Sequence, residues 1–144
     1  MSKDEKVDGP RVAARILNSM PAERKQRLLA QIRSAAPKVS RLIEANIINY
    51  EDIKELLDQG VQRLIKEVAH GDLVLSLKKA STEVKEALLR NMSQRKREIV
   101  LADLEALPAT PVAEVDAAQR RIAQTMDRLR TEGAIHRRDD DEYV

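Results

Sequence analysis

The sequence predicts an all-α protein, and three features of its composition and pattern support this prediction. The apolar residues are almost entirely aliphatic, because Trp and Phe are absent and the only aromatic residues are Tyr50 and Tyr143. Only four of the 144 residues are glycine, whereas residues that favour helix, such as Leu, Ala, Glu, Lys and Arg, are abundant. No stretch alternates between apolar and polar residues for long enough to form a half-buried strand.

The composition also narrows the class of protein. Charge is dense but nearly balanced at +2, and a basic stripe with stacking aromatics is missing, which argues against nucleic-acid binding. The absence of cysteine excludes disulfides and thiolate metal sites and fits a reducing compartment. No apolar run reaches membrane-spanning length, and the opening MSKDEKVDG is too polar for a secretory signal. We therefore expect a cytoplasmic chain, free or attached to a membrane-bound assembly.

The first part of the chain predicts a flexible leader followed by a helical hairpin. Proline at position 21 suits the first position of a helix, because its missing N–H would be unpaired there anyway. The predicted segments are a leader at residues 1–10 and helices at Arg11–Met20, Pro21–Ala35 and Lys38–Ala45. Their apolar positions are Val12, Ile16 and Leu17 in the first helix and Leu28, Leu29 and Ile32 in the second. Such a hairpin buries too little surface alone, so we expect it to need a neighbour.

The run Ile47-Ile48-Asn49-Tyr50 is a poor helix former and interrupts the pattern. One interpretation is a break between two structural pieces, with Asn49 as the N-cap and Asp52 as the first-turn acid of the next helix. The other is an ordinary interhelical turn that buries the two isoleucines. The residues alone favour the second interpretation.

The second part of the chain predicts six helices. The first two span Tyr50–Leu57 and Val61–Val68, with residues 58–60 between them, and the pair ends at His70-Gly71. Their apolar side consists of Leu56, Leu57, Val61, Leu64, Ile65 and Val68. Three short helices follow up to Leu107, with start signals at Gly71-Asp72, Ser81 and Ser93. After a proline-containing loop, the last helix spans Ala113–Thr131, with Val115, Ala118, Ile122, Met126 and Leu129 at helical spacing and Gly133 as its cap. The charged tail at residues 137–144 is predicted to be loose.

The helix predicted from Gln94 to Leu107 carries a ridge of charge. Val100, Leu104 and Leu107 form the stripe that must be buried, and Arg95, Glu98, Ala102, Glu105 and Ala106 lie opposite, with Asp103 at the border. Positive charge therefore comes first along the ridge and negative charge follows. A mixed-charge helix face is most often an ordinary solvated surface, and a surface that meets a partner of reversed polarity is the alternative.

Residue sets that would support catalysis are not apparent. His70 and His136 have no metal-ligand spacing around them, and we find neither a phosphate-binding glycine loop nor a nucleophile beside a base. The acidic run at residues 139–142 could attract a cation weakly but lacks the glycine of a calcium loop. We therefore predict a protein that is not an enzyme and uses no cofactor, metal or small-molecule substrate.

Two long segments resemble a known family. LVLSLKKASTEVKEALLRNMSQRKREIVLADLEAL and VAEVDAAQRRIAQTMDRLRTEGAI are similar to the C-terminal part of FliG, the flagellar motor switch family. The resemblance implies an armadillo-like helical segment at 11–46, a hinge at Ile47, Ile48, Asn49 and Tyr50, and a compact right-handed multi-helix domain at 51–136. The family's N-terminal region has no counterpart here, which implies a short form or a paralogue.

The resemblance also implies partners and contact residues. In this family a charged helix of the C-terminal domain contacts the cytoplasmic loop of the stator subunit (MotA or PomA type), and other contacts join FliM-type switch proteins and neighbouring FliG-like subunits at the cytoplasmic side of the inner membrane, in the basal body. Lys78, Arg95 and Asp103 match charged family positions, and Glu98 is a further candidate. Ala102 and Pro111 depart from positions that are often charged, so an adaptor or regulatory paralogue that generates no torque is the alternative.

Overall fold

A computed structural model describes residues 8–136, which form helices and no β-strand within that range. The α-helices are α1 (Gly9–Asn18), α2 (Ala22–Ala35), α3 (Pro37–Asn46), α4 (Asp58–Glu67), α5 (His70–Ser76), α6 (Thr82–Arg90), α7 (Gln94–Ala106) and α8 (Val112–Thr131). Two 3₁₀ helices, Tyr50–Glu55 and Leu77–Lys79, precede α4 and α6. The all-α prediction is confirmed for these residues. The predicted tail and residues 1–7 of the predicted leader lie outside them.

The chain divides into two units between Ile47 and Ile48, and each unit has its own apolar cluster. In the first unit, α3 packs against both α1 and α2. The buried apolar residues of this unit are Ala14, Leu17, Leu29, Ile43 and Ile47. The cluster is small because each of the three helices contributes only one or two residues to it, and Ile47 adds one more after α3.

Helix α1 begins earlier than predicted and buries less of its apolar side. Asp8 caps it, because its Oδ1 accepts a hydrogen bond from the backbone N–H of Arg11 at 3.2 Å, and proline fits the first turn. Two residues of the predicted leader therefore belong to α1. Val12 and Ile16 are exposed, with 53% of Ile16 accessible, so the predicted stripe is buried only at Leu17.

In the second unit, α8 packs mainly against α5. The predicted stripe of α8 is confirmed, since Val115, Ala118, Ile122, Met126 and Leu129 are all buried. Polar contacts reinforce this packing: Gln119 donates to the carbonyl of Ser76 at 2.9 Å, and Arg121 donates twice to Asp72, at 3.0 and 2.8 Å. The long last helix thus holds the shorter helices of this unit together.

The two serine start signals and the glycine stop signal predicted for this unit are confirmed. Ser81 Oγ accepts from the backbone N–H of Val84 at 3.2 Å, and Ser93 Oγ accepts from that of Lys96 at 3.1 Å. Gly133 follows α8 with φ of 74°, a left-handed conformation that glycine adopts without steric cost.

Two predicted boundaries in this unit were wrong. Residues 58–60 were predicted as a separator but form the first turn of α4. Gly60 is buried beside Ile135, and a Cβ added to it would lie 3.4 Å from Ile135 Cβ, an ordinary packing distance. Leu57, just before that turn, is 39% exposed rather than buried. His70 begins α5 instead of ending the preceding pair, since the backbone is already extended at Val68.

Candidate functional site

The candidate surface is the exposed side of α7, which we call the α7 ridge. It consists of Arg95, Glu98, Ile99, Ala102, Asp103, Glu105 and Ala106, all of them exposed. On the opposite side, Val100 is fully buried, and Leu104 and Leu107 are partly buried against the core. The burial pattern predicted for this helix is therefore observed, whereas the role of its exposed residues stays a prediction.

The ridge has an apolar centre between charged flanks. At 100° per residue, Ile99, Ala102 and Ala106 lie within about 60° of one another. Asp103 lies on one flank and Glu98 on the other. Sequence reasoning missed Ile99, which is 46% exposed although it is a large apolar residue. Its angular position, next to Arg95 and away from Val100, was the signal that could have identified it.

The charged groups of the ridge differ in how they are held. The side chain of Arg95 makes no hydrogen bond or ion pair with another residue between positions 8 and 136. Glu98 accepts a long hydrogen bond of 3.4 Å from Gln94. Asp103 Oδ2 lies 2.7 Å from His70 Nε2 at the start of α5. Positive charge at the beginning of the ridge is thus available to a partner, and Asp103 is fixed in place.

Lys78 lies on a different element from the other predicted contact residues. It belongs to the 3₁₀ helix Leu77–Lys79, and its Nζ donates to the carbonyl of Pro108 at 2.8 Å. Its half-buried side chain thereby ties the loop after α7 to the end of α5. The structure brings Arg95, Glu98 and Asp103 together on one helix and places Lys78 at that loop.

A groove borders the ridge at Asp103, and we call it the α5–α7 groove. Its volume is about 440 Å³. It is lined by His70, Gly71, Val74 and Leu75 of α5, Asp103 and Leu107 at the end of α7, Pro108 and Thr110 of the loop, and Glu114 of α8. The floor is apolar, and carboxylates stand at the rim.

The predicted hinge residues fall on both sides of the division between the units. Ile47 belongs to the apolar cluster of the first unit and Ile48 to that of the second. Asn49 is exposed, and its backbone N–H donates to Asp52 Oδ2 at 2.9 Å. Tyr50 begins a 3₁₀ helix, so the extended stretch is limited to residues 47–49. Whether this segment bends stays a prediction.

Tyr50 is anchored by a buried hydrogen bond. Ser76 Oγ donates to the carbonyl of Leu73 at 2.7 Å, which leaves it to accept from the Tyr50 hydroxyl at 2.8 Å. Burial, opposed in part by this hydrogen bond, raises the pKa of Tyr50 to about 12. The phenol is therefore neutral and structural.

Two further properties of the described residues bear on the class of site. Within residues 8–136, no group of three or more His, Asp or Glu side chains could hold a metal ion. None of the helices in this range combines the length and the apolar character needed to cross a membrane. The acidic run at residues 139–142 lies outside the described range.

The chain is similar in sequence to flagellar proteins of several bacteria. The Flagellar motor switch protein FliG of Aquifex aeolicus is 31% identical over 130 residues, which are 90% of this chain and 40% of that protein. FliG of Thermotoga maritima is 32% identical over 130 residues, 90% of this chain and 39% of that protein. The chain thus spans about two fifths of the length of these curated relatives.

Solved structures and a family model agree with this similarity. A crystallised segment of FliG from Helicobacter pylori matches with a TM-score of 0.70 and 30% identity, covering 93% of this chain and 63% of that one. Full-length FliG from Aquifex aeolicus matches with a TM-score of 0.61 and 30% identity, covering 91% and 41%. The family model described as FliG C-terminal domain matches residues 30–136. The chain therefore belongs to the FliG C-terminal domain family.

Proposed function

We propose that this chain is a rotor component of the bacterial flagellar motor switch and catalyses no reaction. The proposal rests on membership of the FliG C-terminal domain family and on relatives named as flagellar motor switch proteins. It places the chain at the cytoplasmic face of the inner membrane, in the basal body. Its partners would be a stator subunit of MotA or PomA type, a FliM-type switch protein and neighbouring FliG-like subunits.

We infer that Arg95, Glu98 and Asp103 contact the cytoplasmic loop of the stator subunit, with Lys78 at the edge of that contact. The observation that supports this most is the α7 ridge itself, on which one base precedes the acids along a rigid helix. Complementary charge orients a partner and accelerates its association more than it adds affinity. A rotor–stator contact has to form and dissociate repeatedly, and an interaction that associates quickly without high affinity is suited to this.

Charge reversal on the ridge tests this proposal. In a strain whose motility depends on this chain, we expect Arg95→Glu or Asp103→Lys alone to reduce swimming strongly. A stator loop with the opposite reversal should restore part of it. Glu86→Lys is the matched control, because Glu86 is also exposed but lies on α6. Normal swimming of both single variants would show that the ridge is only a solvated face.

The second candidate is an adaptor paralogue that binds switch proteins without generating torque. Ala102 and Pro111 favour it, because they replace residues that are often charged in the family. Pull-down of the full chain with a stator loop and with a FliM-type protein distinguishes the candidates. Capture of both proteins supports the rotor component, and capture of the FliM-type protein alone supports the adaptor.

The first unit is proposed to pack on a neighbouring subunit. It exposes Val12 and Ile16 on α1 and Val39 and Leu42 on α3, with Leu42 56% accessible. An armadillo-like unit that leaves such residues uncovered needs a second surface to bury them. We expect Leu42→Glu to weaken association between subunits in sedimentation experiments, and the extended segment 47–49 to act as the hinge that allows it.

A further inference from the structure

The α5–α7 groove and the α7 ridge form one surface, because Asp103 belongs to both. On the ridge side, Ile99, Ala102 and Ala106 form a seam with the i, i+3, i+7 spacing of helix-packing contacts. Two small residues in that seam allow another helix to approach closely. On the groove side, Leu75, Leu107 and Pro108 form part of an apolar floor.

The charge around this surface is mainly negative. Glu114 is exposed at the groove rim, and its carboxylate makes no hydrogen bond or ion pair with another residue in the described range. From Ile99 to the end of α7 the only charged side chains are Asp103 and Glu105. Arg95 is the one basic side chain of the ridge, and Lys78, beside the groove, donates to the carbonyl of Pro108.

We propose that this surface binds an amphipathic helix of a partner protein. One large apolar side chain of that helix enters the groove, and flanking Lys or Arg side chains pair with Asp103 and Glu114. The groove has a volume of about 440 Å³. This volume lies within the range of about 300–1,000 Å³ that is typical of ligand-binding pockets. This inference rests on the proposed function, since it gives the stator contact an apolar anchor beside its charges.

The anchor changes how the contact responds to salt. Surface ion pairs are largely screened at about 1 M salt, where the Debye length is about 3 Å, whereas burial of an apolar side chain is not weakened by screening. A purely electrostatic contact would therefore disappear at high salt. The proposed contact keeps part of its affinity.

Two synthetic helical peptides test the proposal on the full chain. They share one apolar stripe with a central Phe and differ only in flanking residues, which are Lys in one peptide and Glu in the other. In calorimetric titrations we expect the Lys peptide to bind at least about tenfold more tightly than the Glu peptide at low salt. We expect it to retain measurable binding at about 1 M salt. Equal affinity of the two peptides would overturn the proposal.

Filling the groove provides the matched pair of variants. A Cβ added at Gly71 meets no atom within 4 Å, so Gly71→Ala is compatible with the fold, and the longer side chain of Gly71→Met begins from open space in the groove lining. Gly71→Met should lower the affinity for the Lys peptide about tenfold, whereas Gly71→Ala should leave that affinity unchanged. In the parent protein, the NMR chemical-shift changes caused by peptide binding should map to Val74 and Leu107. Identical binding by the two variants would place the apolar contact elsewhere and overturn the proposal.

A charge variant keeps the test independent of Gly71. The double change Asp103→Asn with Glu114→Gln keeps the apolar floor and removes the rim charge. We expect it to abolish the discrimination between the Lys and Glu peptides while both still bind weakly. Persistent discrimination would overturn the proposed role of these two carboxylates.

Failure of this inference is distinguishable from failure of the proposed function. If ridge reversals leave swimming intact but Gly71→Met blocks the Lys peptide, the surface binds helices and the stator assignment is wrong. If ridge reversals stop swimming but Gly71→Met behaves like Gly71→Ala, the stator contact stands and the groove takes no part in it.

Discussion

Two buried serines in this protein differ in how their hydroxyls are satisfied. Ser76 is fully buried, and its Oγ both donates to Leu73 and accepts from Tyr50. Ser40 on α3 is 1% exposed, and its Oγ has no hydrogen-bond partner among residues 8–136. Burying a hydroxyl without a partner costs stability, whereas a paired hydroxyl contributes to it.

Replacing these serines by alanine should therefore have opposite effects. We expect Ser40→Ala to raise the free energy of unfolding by about 0.5–2 kcal/mol, because it removes an unpaired buried polar group. Ser76→Ala should lower it by about 1–2 kcal/mol and serves as the matched control. Urea denaturation followed by circular dichroism measures both. A destabilising Ser40→Ala would mean that this hydroxyl has a partner in solution.

The raised pKa of Tyr50 predicts a loss of stability at high pH. An unfolded tyrosine loses its proton near about pH 10. The folded protein holds that proton more tightly, since its pKa is about 12. The contribution of Tyr50 is therefore fully present below about pH 10 and is lost as the pH rises through about 12, in total about 2–3 kcal/mol.

Tyr50→Phe isolates this effect from other groups that titrate at high pH. The variant should be about 1 kcal/mol less stable than the parent at neutral pH, because it loses the hydrogen bond to Ser76. The difference should shrink or reverse toward pH 12 in denaturation experiments. In a Tyr143→Phe background, Tyr50 is the only tyrosine, and its ultraviolet titration reads the pKa directly. A midpoint near pH 10 would contradict the predicted shift.

At the scale of single elements, α7 depends on its first residues. Ser93 is its N-cap, and α7 has no acidic residue in its first turn and no basic residue in its last. The Ser93 cap therefore provides much of the stabilisation of the helix start that charged side chains near the helix ends provide in other helices. The first turn also carries Arg95, which the proposed function needs in a defined orientation.

Removing this cap should loosen the start of the ridge. We expect Ser93→Ala to cost about 0.5–2 kcal/mol and to reduce amide-exchange protection in the first turn of α7. Ser93→Asn, which can cap equally well, is the control. Unchanged protection in Ser93→Ala would show that the packing of Val100 alone orders this turn.

Local signals in the sequence were enough to predict several elements. The serine caps of α6 and α7, the buried stripe of α8 and the left-handed Gly133 all depend on residues within a few positions of each other. Residues 58–60 could not be assigned in the same way. Gly60 is buried beside Ile135, a residue far along the chain, and spacing in the sequence does not reveal this proximity.

The candidate site was only partly accessible to the same reasoning. The exposed charges of α7 follow from helical periodicity, so Arg95, Glu98 and Asp103 could be named in advance. The pair formed by His70 and Asp103 joins residues 33 positions apart, and no local pattern encodes it. The groove beside Asp103 was not predicted either, because four separate segments have to fold before it exists.

At the scale of the whole chain, charge is divided unequally between the units. Residues 8–47 carry eight basic and three acidic side chains, a net charge of +5, whereas residues 48–136 carry fourteen basic and fifteen acidic ones, a net charge of −1. Charge repulsion therefore opposes a contact between two first units, whichever faces meet. This favours a less positive partner surface for the exposed apolar residues of α1 and α3.

The size of the two apolar clusters predicts unequal local stability. The cluster of the first unit contains five buried apolar residues and that of the second unit nineteen. We expect Leu29→Ala to reduce amide-exchange protection mainly within residues 8–47, and the matched Leu64→Ala to reduce it mainly within residues 48–136. Each substitution should cost about 2–5 kcal/mol in its own unit. Equal loss of protection throughout the chain after Leu29→Ala would show a single cooperative transition instead.

Of the thirteen residues in α7, only Val100 is fully buried. Substitutions at most other positions of the helix therefore remove little core packing and carry a small folding penalty. The exposed side chains of such a helix can be substituted one at a time while the fold is kept. A helix of this kind can therefore acquire contacts to a different partner without rebuilding the core beneath it.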